Sequence, residues 1–124
     1  GDGNVKYIIN AVLFAIALGL AAPLAARDFE TGMAAYERGD YAAAICEWNL
    51  LAAYGDIAAQ YNLGIIYGNG HGVEIDDVAA AAWFRRAAEQ GDETAIRGLR
   101  VVVGFMSSSE ISEAHKLARD WRPK

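Results

Sequence analysis

Cysteine occurs once in this chain, at Cys46, so no internal disulfide can form and no thiolate zinc site has a second ligand. Within an alanine-rich stretch such a lone cysteine reads as a small buried apolar residue. Basic residues are outnumbered, 11 Lys and Arg against 16 Asp and Glu, for a net charge of -5. The arginines are scattered, which leaves no electrostatic footprint for nucleic acid. Histidine is as scarce as proline, with two of each. There is no Ser-His-Asp order, and the glycine cluster Gly68-Asn69-Gly70-His71-Gly72 follows a helical pattern rather than a strand, so it is a turn and not a phosphate cradle. His71, Glu74, Asp76 and Asp77 share that loop, but one histidine with carboxylates at irregular spacing is a poor metal set, and helix capping accounts for both aspartates. His115 falls on a charged helical stretch with no nucleophile near it in sequence. The sequence therefore nominates no catalytic residue, no cofactor and no metal, and reads as a non-enzyme.

What the chain has in quantity is apolar residues, 54% of the total, much of it alanine and much of the rest near the start. Residues 1–4 read as a tag remnant. Residues 7–26 are then apolar except for Asn10, with Lys6 ahead of them, Pro23 breaking the helix and small residues leading to Arg27. A basic start, a short apolar stretch and a small-residue exit form the pattern of a secretory signal, so residues 1–26 are expected to be removed on export. The alternative is an uncleaved membrane anchor facing the periplasm, since about 20 apolar residues just span a bilayer. Localisation is accordingly expected to be periplasmic or secreted. Residues 27–124 form one domain, large enough for a single modest core.

That domain repeats. Shifting the chain by 36 overlays Asp40 on Asp76, Ala43-Ala44 on Ala79-Ala80, Trp48 on Phe84, Gly55-Asp56 on Gly91-Asp92, Ala59 on Ala95, Leu63 on Leu99 and Gly68 on Gly104. Alanine matches arise easily in this composition; two Gly-Asp pairs and an aromatic in register do not. Each unit reads as two helices. Ala44, Trp48, Leu51 and Ala52 recur at helical spacing, as do Ala59, Leu63, Ile66 and Tyr67 in the next segment. Gly55 supplies a left-handed residue that ends one helix, and Asp56 caps the next. Asp76 or Asp77 opens another, packed through Trp83, Phe84, Ala87 and Ala88. A shorter helix precedes the repeat and Ser107-Ser108-Ser109-Glu110 starts a closing one. The expectation is all-α: six helices near 28–38, 41–54, 57–68, 77–90, 93–105 and 109–121, with no sheet. Trp48 and Phe84 are expected at equivalent buried positions among alanines, which let helices approach closely.

Gly55-Asp56-Ile57-Ala58-Ala59-Gln60-Tyr61-Asn62-Leu63-Gly64-Ile65-Ile66-Tyr67, followed by Gly70-His71-Gly72-Val73, resembles the SEL-one-like repeat, a relative of the tetratricopeptide repeat (TPR). Ala80 onward through Trp83-Phe84-Arg85-Arg86-Ala87-Ala88-Glu89-Gln90-Gly91-Asp92 resembles the adjoining part of the motif, and Gly32, Tyr36 and Gly39-Asp40-Tyr41 the shorter TPR turn. The resemblance runs from Phe29 onward. The last repeat departs from it, with Arg100 at a glycine position and Val103 at a tyrosine position. It implies a solenoid of antiparallel helix pairs, a right-handed superhelix, that holds a protein or peptide partner on the concave face lined by the first helix of each pair. Carried onto this chain, that face nominates Tyr61, Asn62 and Ile65 from one repeat and Arg97, Arg100 and Val101 from the next. Asn62 falls where TPR relatives bond a peptide backbone, and Arg97 and Arg100 suit a carboxylate or acidic segment. The alternatives are a structural envelope protein that associates with itself through its edge helices, giving a homo-oligomer, and an enzyme of the cell envelope. A membrane is implied only through the N-terminal segment, if it is uncleaved.

Overall fold

A computed structural model of the chain describes residues 28–123, so the export-signal reading of residues 1–26 lies outside the described residues. Six helices run in order: α1 (Phe29–Glu37), α2 (Tyr41–Ala53), α3 (Ile57–Asn69), α4 (Asp77–Glu89), α5 (Glu93–Val103) and α6 (Ser108–Asp120). Every boundary lies within two residues of the expected one, and no strand occurs among the described residues. No helix among them is long and apolar enough to cross a membrane.

The Gly-Asp punctuation explains how these helices follow one another with almost no linker. At the end of α2, Gly55 has φ +96°. Its N–H donates to the Ala52 carbonyl at 3.0 Å, and the N–H of Asp56 donates to the Leu51 carbonyl at 3.1 Å. That pair of bonds satisfies carbonyls that a helix end would otherwise strand. The Asp56 carboxylate then accepts from the N–H of Ala59 at 2.8 Å and opens α3. Gly39-Asp40 and Gly91-Asp92 repeat the arrangement at the ends of α1 and α4. Asp28 and Asp76 cap α1 and α4 in the same way, while Ser107 and Glu110 form a reciprocal capping box on α6.

Successive helices pack side by side from α1 to α5, in two connected apolar clusters. The first is built on Trp48 with Ala35, Ala44, Ala52, Ala59, Leu63 and Ile66; the second on Phe84 with Ala80, Ala87, Ala95, Val102 and Ala114. Trp48 is 1% exposed and Phe84 4%. Both rings are therefore core, as the 36-residue register requires. Each lies against a glycine of the first helix of its own pair. A Cβ on Gly32 would come within 2.3 Å of the Trp48 ring, and one on Gly64 within 2.6 Å of the Phe84 ring. Gly98 of α5 closes on the other side of Phe84, where a Cβ would sit at 3.0 Å. The Trp48 indole N–H donates to the Phe29 carbonyl at 3.3 Å, so the buried donor is satisfied.

Two features connect the pairs. Gln60 is fully buried; its amide donates to the Ala52 carbonyl at 3.2 Å and its carbonyl accepts from Gln90 at 2.9 Å, linking the ends of α2 and α4 through the start of α3. The glycine-rich turn after α3 folds back on the first pair, with the His71 ring stacked on Tyr41 (centroids 5.3 Å apart) and its Nδ1 hydrogen-bonded to the Tyr36 hydroxyl at 2.7 Å. Burial, and then the neighbouring Tyr41, raise the Tyr36 phenol above its ordinary range.

Two expectations change. Cys46, read as buried, is exposed. It lies on the side of α2 opposite Ala44, Trp48 and Ala52, and nothing packs over that side among the described helices. The last pair also differs from the first two, because α6 lies chiefly on α4 and only slightly on α5. Where the first helices of the other pairs present Gly32 and Gly64 to an aromatic ring, α5 has Arg100, and α6 has no aromatic residue within its span. Arg86 of α4 holds α6 instead: its guanidinium lies 4.3 Å from the Trp83 ring and 5.4 Å from that of Trp121, and it donates to the Leu117 carbonyl at 3.0 Å. Burial lowers the Arg86 pKa from its usual value and Glu89 opposes the shift. Its buried Nε has no acceptor, a cost the two indole rings offset.

Replacing Trp48 or Phe84 by alanine is expected to cost about 3–5 kcal/mol, most of the stability of a domain this size. Gly64→Ala should also destabilise, by about 1–3 kcal/mol, although alanine is the better helix former, because the new methyl group meets the Phe84 ring. Urea unfolding midpoints test both; a Gly64→Ala protein as stable as the parent would contradict the close packing described.

Candidate partner-binding groove

The first helices of the second and third pairs, α3 and α5, lie against one another and leave a groove of about 310 Å³ along their seam. Its floor has few side chains. Gly64 and Gly68 of α3 and Gly98 of α5 line it, with the Phe84 ring from α4 showing between them. The same glycines that admit Phe84 to the core thus leave the seam open above it. Ile65 forms one wall, and Val101, Val102 and Phe105 the other. Asn69 and Asp77 close one end, where α3 stops and α4 begins.

Two wall residues stand out by exposure. Val101 is 65% exposed and Phe105 79%, while Val102 beside them is buried. A single exposed apolar residue is ordinary; two, one helical turn apart and bordering an apolar slot, make a surface suited to covering. Nothing in the described domain covers them.

The six residues nominated from sequence divide into four groups. Ile65 and Val101 come together across the seam and line the groove. Tyr61 is half-buried and packs inward, its ring 5.6 Å from Phe84, so it supports the groove from below. Asn62 is half-buried on the same helix and does not line the groove. Arg97 and Arg100 are exposed and border a separate shallow depression with Glu93 and Ile96, and neither lines the groove. Sequence reasoning missed Phe105 and the glycine floor. The signal for Phe105 was a large apolar residue four places after Val101, in the turn just past the end of α5.

Of the loop residues considered for metal, His71 is engaged by Tyr36 and Tyr41, and Asp76 spends a carboxylate oxygen capping α4. His115 of α6 pairs with Arg85 of α4 at the surface.

The stretch formed by α3, its glycine-rich turn, α4 and the Gly91-Asp92 step has a counterpart among known proteins: residues 57–92 match the Sel1 repeat family. That stretch is similar to a Sel1 repeat. No curated protein and no solved structure matches the chain. Sel1 repeats are helical units that mediate protein–protein interaction. The match covers the central pair, and the glycine-against-aromatic contact of Gly32 with Trp48 extends the same construction to the pair before it.

If the exposed wall belongs to a binding surface rather than the core, Phe105→Ser should leave stability unchanged within about 0.5 kcal/mol, unlike Phe84→Ala. Binding of a hydrophobic dye to the folded protein should fall with it. Thermal and urea unfolding decide: a strongly destabilised Phe105→Ser protein would make Phe105 a structural residue.

Proposed function

We propose that the protein is an exported interaction scaffold whose Sel1 repeat holds a peptide or protein segment in the groove between α3 and α5, and that it acts by binding rather than catalysis. The observation that carries this reading is the uncovered apolar wall, Val101 and Phe105, standing over a floor of three glycines on the seam of two first helices. A floor without side chains admits a partner's side chain close to the backbone, and the walls supply the apolar contact that anchors it. Ile65 faces the anchor from α3, Tyr61 supports Phe84 beneath it, and Asn62, Arg97 and Arg100 are proposed as flanking contacts for the rest of the segment. Export belongs to the same proposal and is supported by the composition of residues 5–26, which places the scaffold in the periplasm or outside the cell.

Affinity capture from a native envelope extract, with the parent protein beside Val101→Asp and Phe105→Asp variants, tests the binding surface. A partner retained by the parent and lost from both folded variants supports the groove; identical recoveries from all three rule it out. For export, the protein expressed in a bacterial host should be recovered from the periplasmic fraction with its N-terminus near Arg27. An intact N-terminus in the membrane fraction would mean an anchor instead.

A further inference from the structure

The groove is not apolar to its end. Asp77, the first residue of α4, closes it; the residue is half-buried, and its carboxylate reaches solvent and has no hydrogen bond or ion pair among the described residues. Of the other carboxylates nearby, Asp76 is bound to the N–H of Ala79 and Glu110 to the N–H of Ser107, while the exposed Glu74 is unpartnered like Asp77. Asp77 also lines a second, wider hollow of about 570 Å³ on the far side of the α4 N-terminus, together with Glu74, Asp76 and Glu110. No basic residue lines either space. An apolar slot and an acidic hollow therefore share one unpartnered carboxylate in their linings.

We propose, building on the interaction reading above, that the occupant of the groove is a basic protein segment: one bulky apolar side chain seated on the glycine floor, with Lys or Arg a few residues to one side lying over Asp77 and Glu74. Charge complementarity argues for this occupant at two ranges. At contact, a lysine or arginine gives Asp77 the partner that the fold does not supply. At a distance, the net charge of -5 attracts a cationic segment and repels an acidic one, which sets the rate of encounter and its dependence on salt. The arginines that suit an acidic ligand, Arg97 and Arg100, line neither space and border a separate depression with Glu93 and Ile96.

Three sets of peptides test the proposal on the full chain, each with a single Leu, Phe or Trp anchor, flanked on both sides by lysine, by serine or by glutamate. Affinities are measured by fluorescence anisotropy at low and at high salt. The lysine set should bind about ten-fold tighter than the glutamate set at low salt, with the serine set between them, and high salt should compress the difference. Asp77→Asn with Glu74→Gln should bring the three sets within about two-fold of one another. Asp76 still caps α4 in that protein, so the helix start is kept. Phe105→Asp should abolish binding of all three sets. Equal affinity of the sets for the parent overturns the basic-segment proposal and leaves the groove intact as a binding site. Lysine preference that persists in Phe105→Asp also overturns it, because binding would then bypass the groove. No binding by any set overturns both readings. Sedimentation of the protein alone gives the remaining outcome: a dimer that Phe105→Asp dissociates would make the occupant a second copy of this chain, again against the proposal.

Discussion

Contact between a glycine on one helix and an aromatic ring on the next sets the spacing on which this domain depends. Gly32 against Trp48, and Gly64 and Gly98 against Phe84, let helix backbones approach to a distance at which alanine side chains fill the rest of the interface. Mid-helix glycine costs about 1 kcal/mol relative to alanine in helix propensity. Fully burying one large aromatic ring returns more than that. The exchange also explains why a core rich in alanine is stable at all: the rings supply the buried apolar area, and the alanines supply proximity. Where the contact is missing, the construction changes. With Arg100 on α5 and no ring within α6, the last pair does not close, and α6 docks on α4 through Arg86 and the two indoles of Trp83 and Trp121.

The same contact produces the groove. A glycine that admits Phe84 from below presents bare backbone above, so Gly64 and Gly98 serve the core on one side and the surface on the other. Fold and site are thereby joined in one set of residues. A side chain added at either glycine would press on the Phe84 ring beneath it, so the openness of the seam is a consequence of how the second pair packs. Only the exposed wall, Val101 and Phe105, is free to vary without disturbing the core, and that is where a binding preference can change at little structural cost.

Much of the fold was legible because its signals are local. A Gly-Asp step encodes both the end of one helix and the cap of the next, so element boundaries could be placed within two residues from sequence. The 36-residue shift placed Trp48 and Phe84 in equivalent buried positions for the same reason: one repeat constrains the other. What was not legible depends on which way a helix turns in the assembled domain. Cys46 lies in a helix of nearly uniform apolarity, where composition does not say which side faces out, and its exposure follows only from where Trp48 points. Gln60 reads as an ordinary polar surface residue until Ala52 and Gln90 are brought to it. The six residues nominated for binding came from a face shared with relatives, and the structure separates them: Ile65 and Val101 meet across the seam, Tyr61 turns inward, and the arginines border a separate depression.

That separation bears on how charge is arranged around the groove. Five of the six helices begin with an aspartate cap, so a domain built on Gly-Asp steps accumulates negative charge at its helix starts whether or not a ligand requires it. Most of that charge is consumed locally, each carboxylate bound to backbone N–H groups and favoured by the helix dipole. Asp77 is different because it follows a cap rather than being one. Asp76 already satisfies the α4 N-terminus, and the second aspartate adds charge that capping does not use. Its position in the first turn of α4 keeps that charge compatible with the helix, while its place at the end of the groove makes it available to whatever lies there. A carboxylate that the fold tolerates but does not employ, shared by the linings of an apolar slot and an acidic hollow, is the feature that separates this groove from a merely apolar seam between two helices.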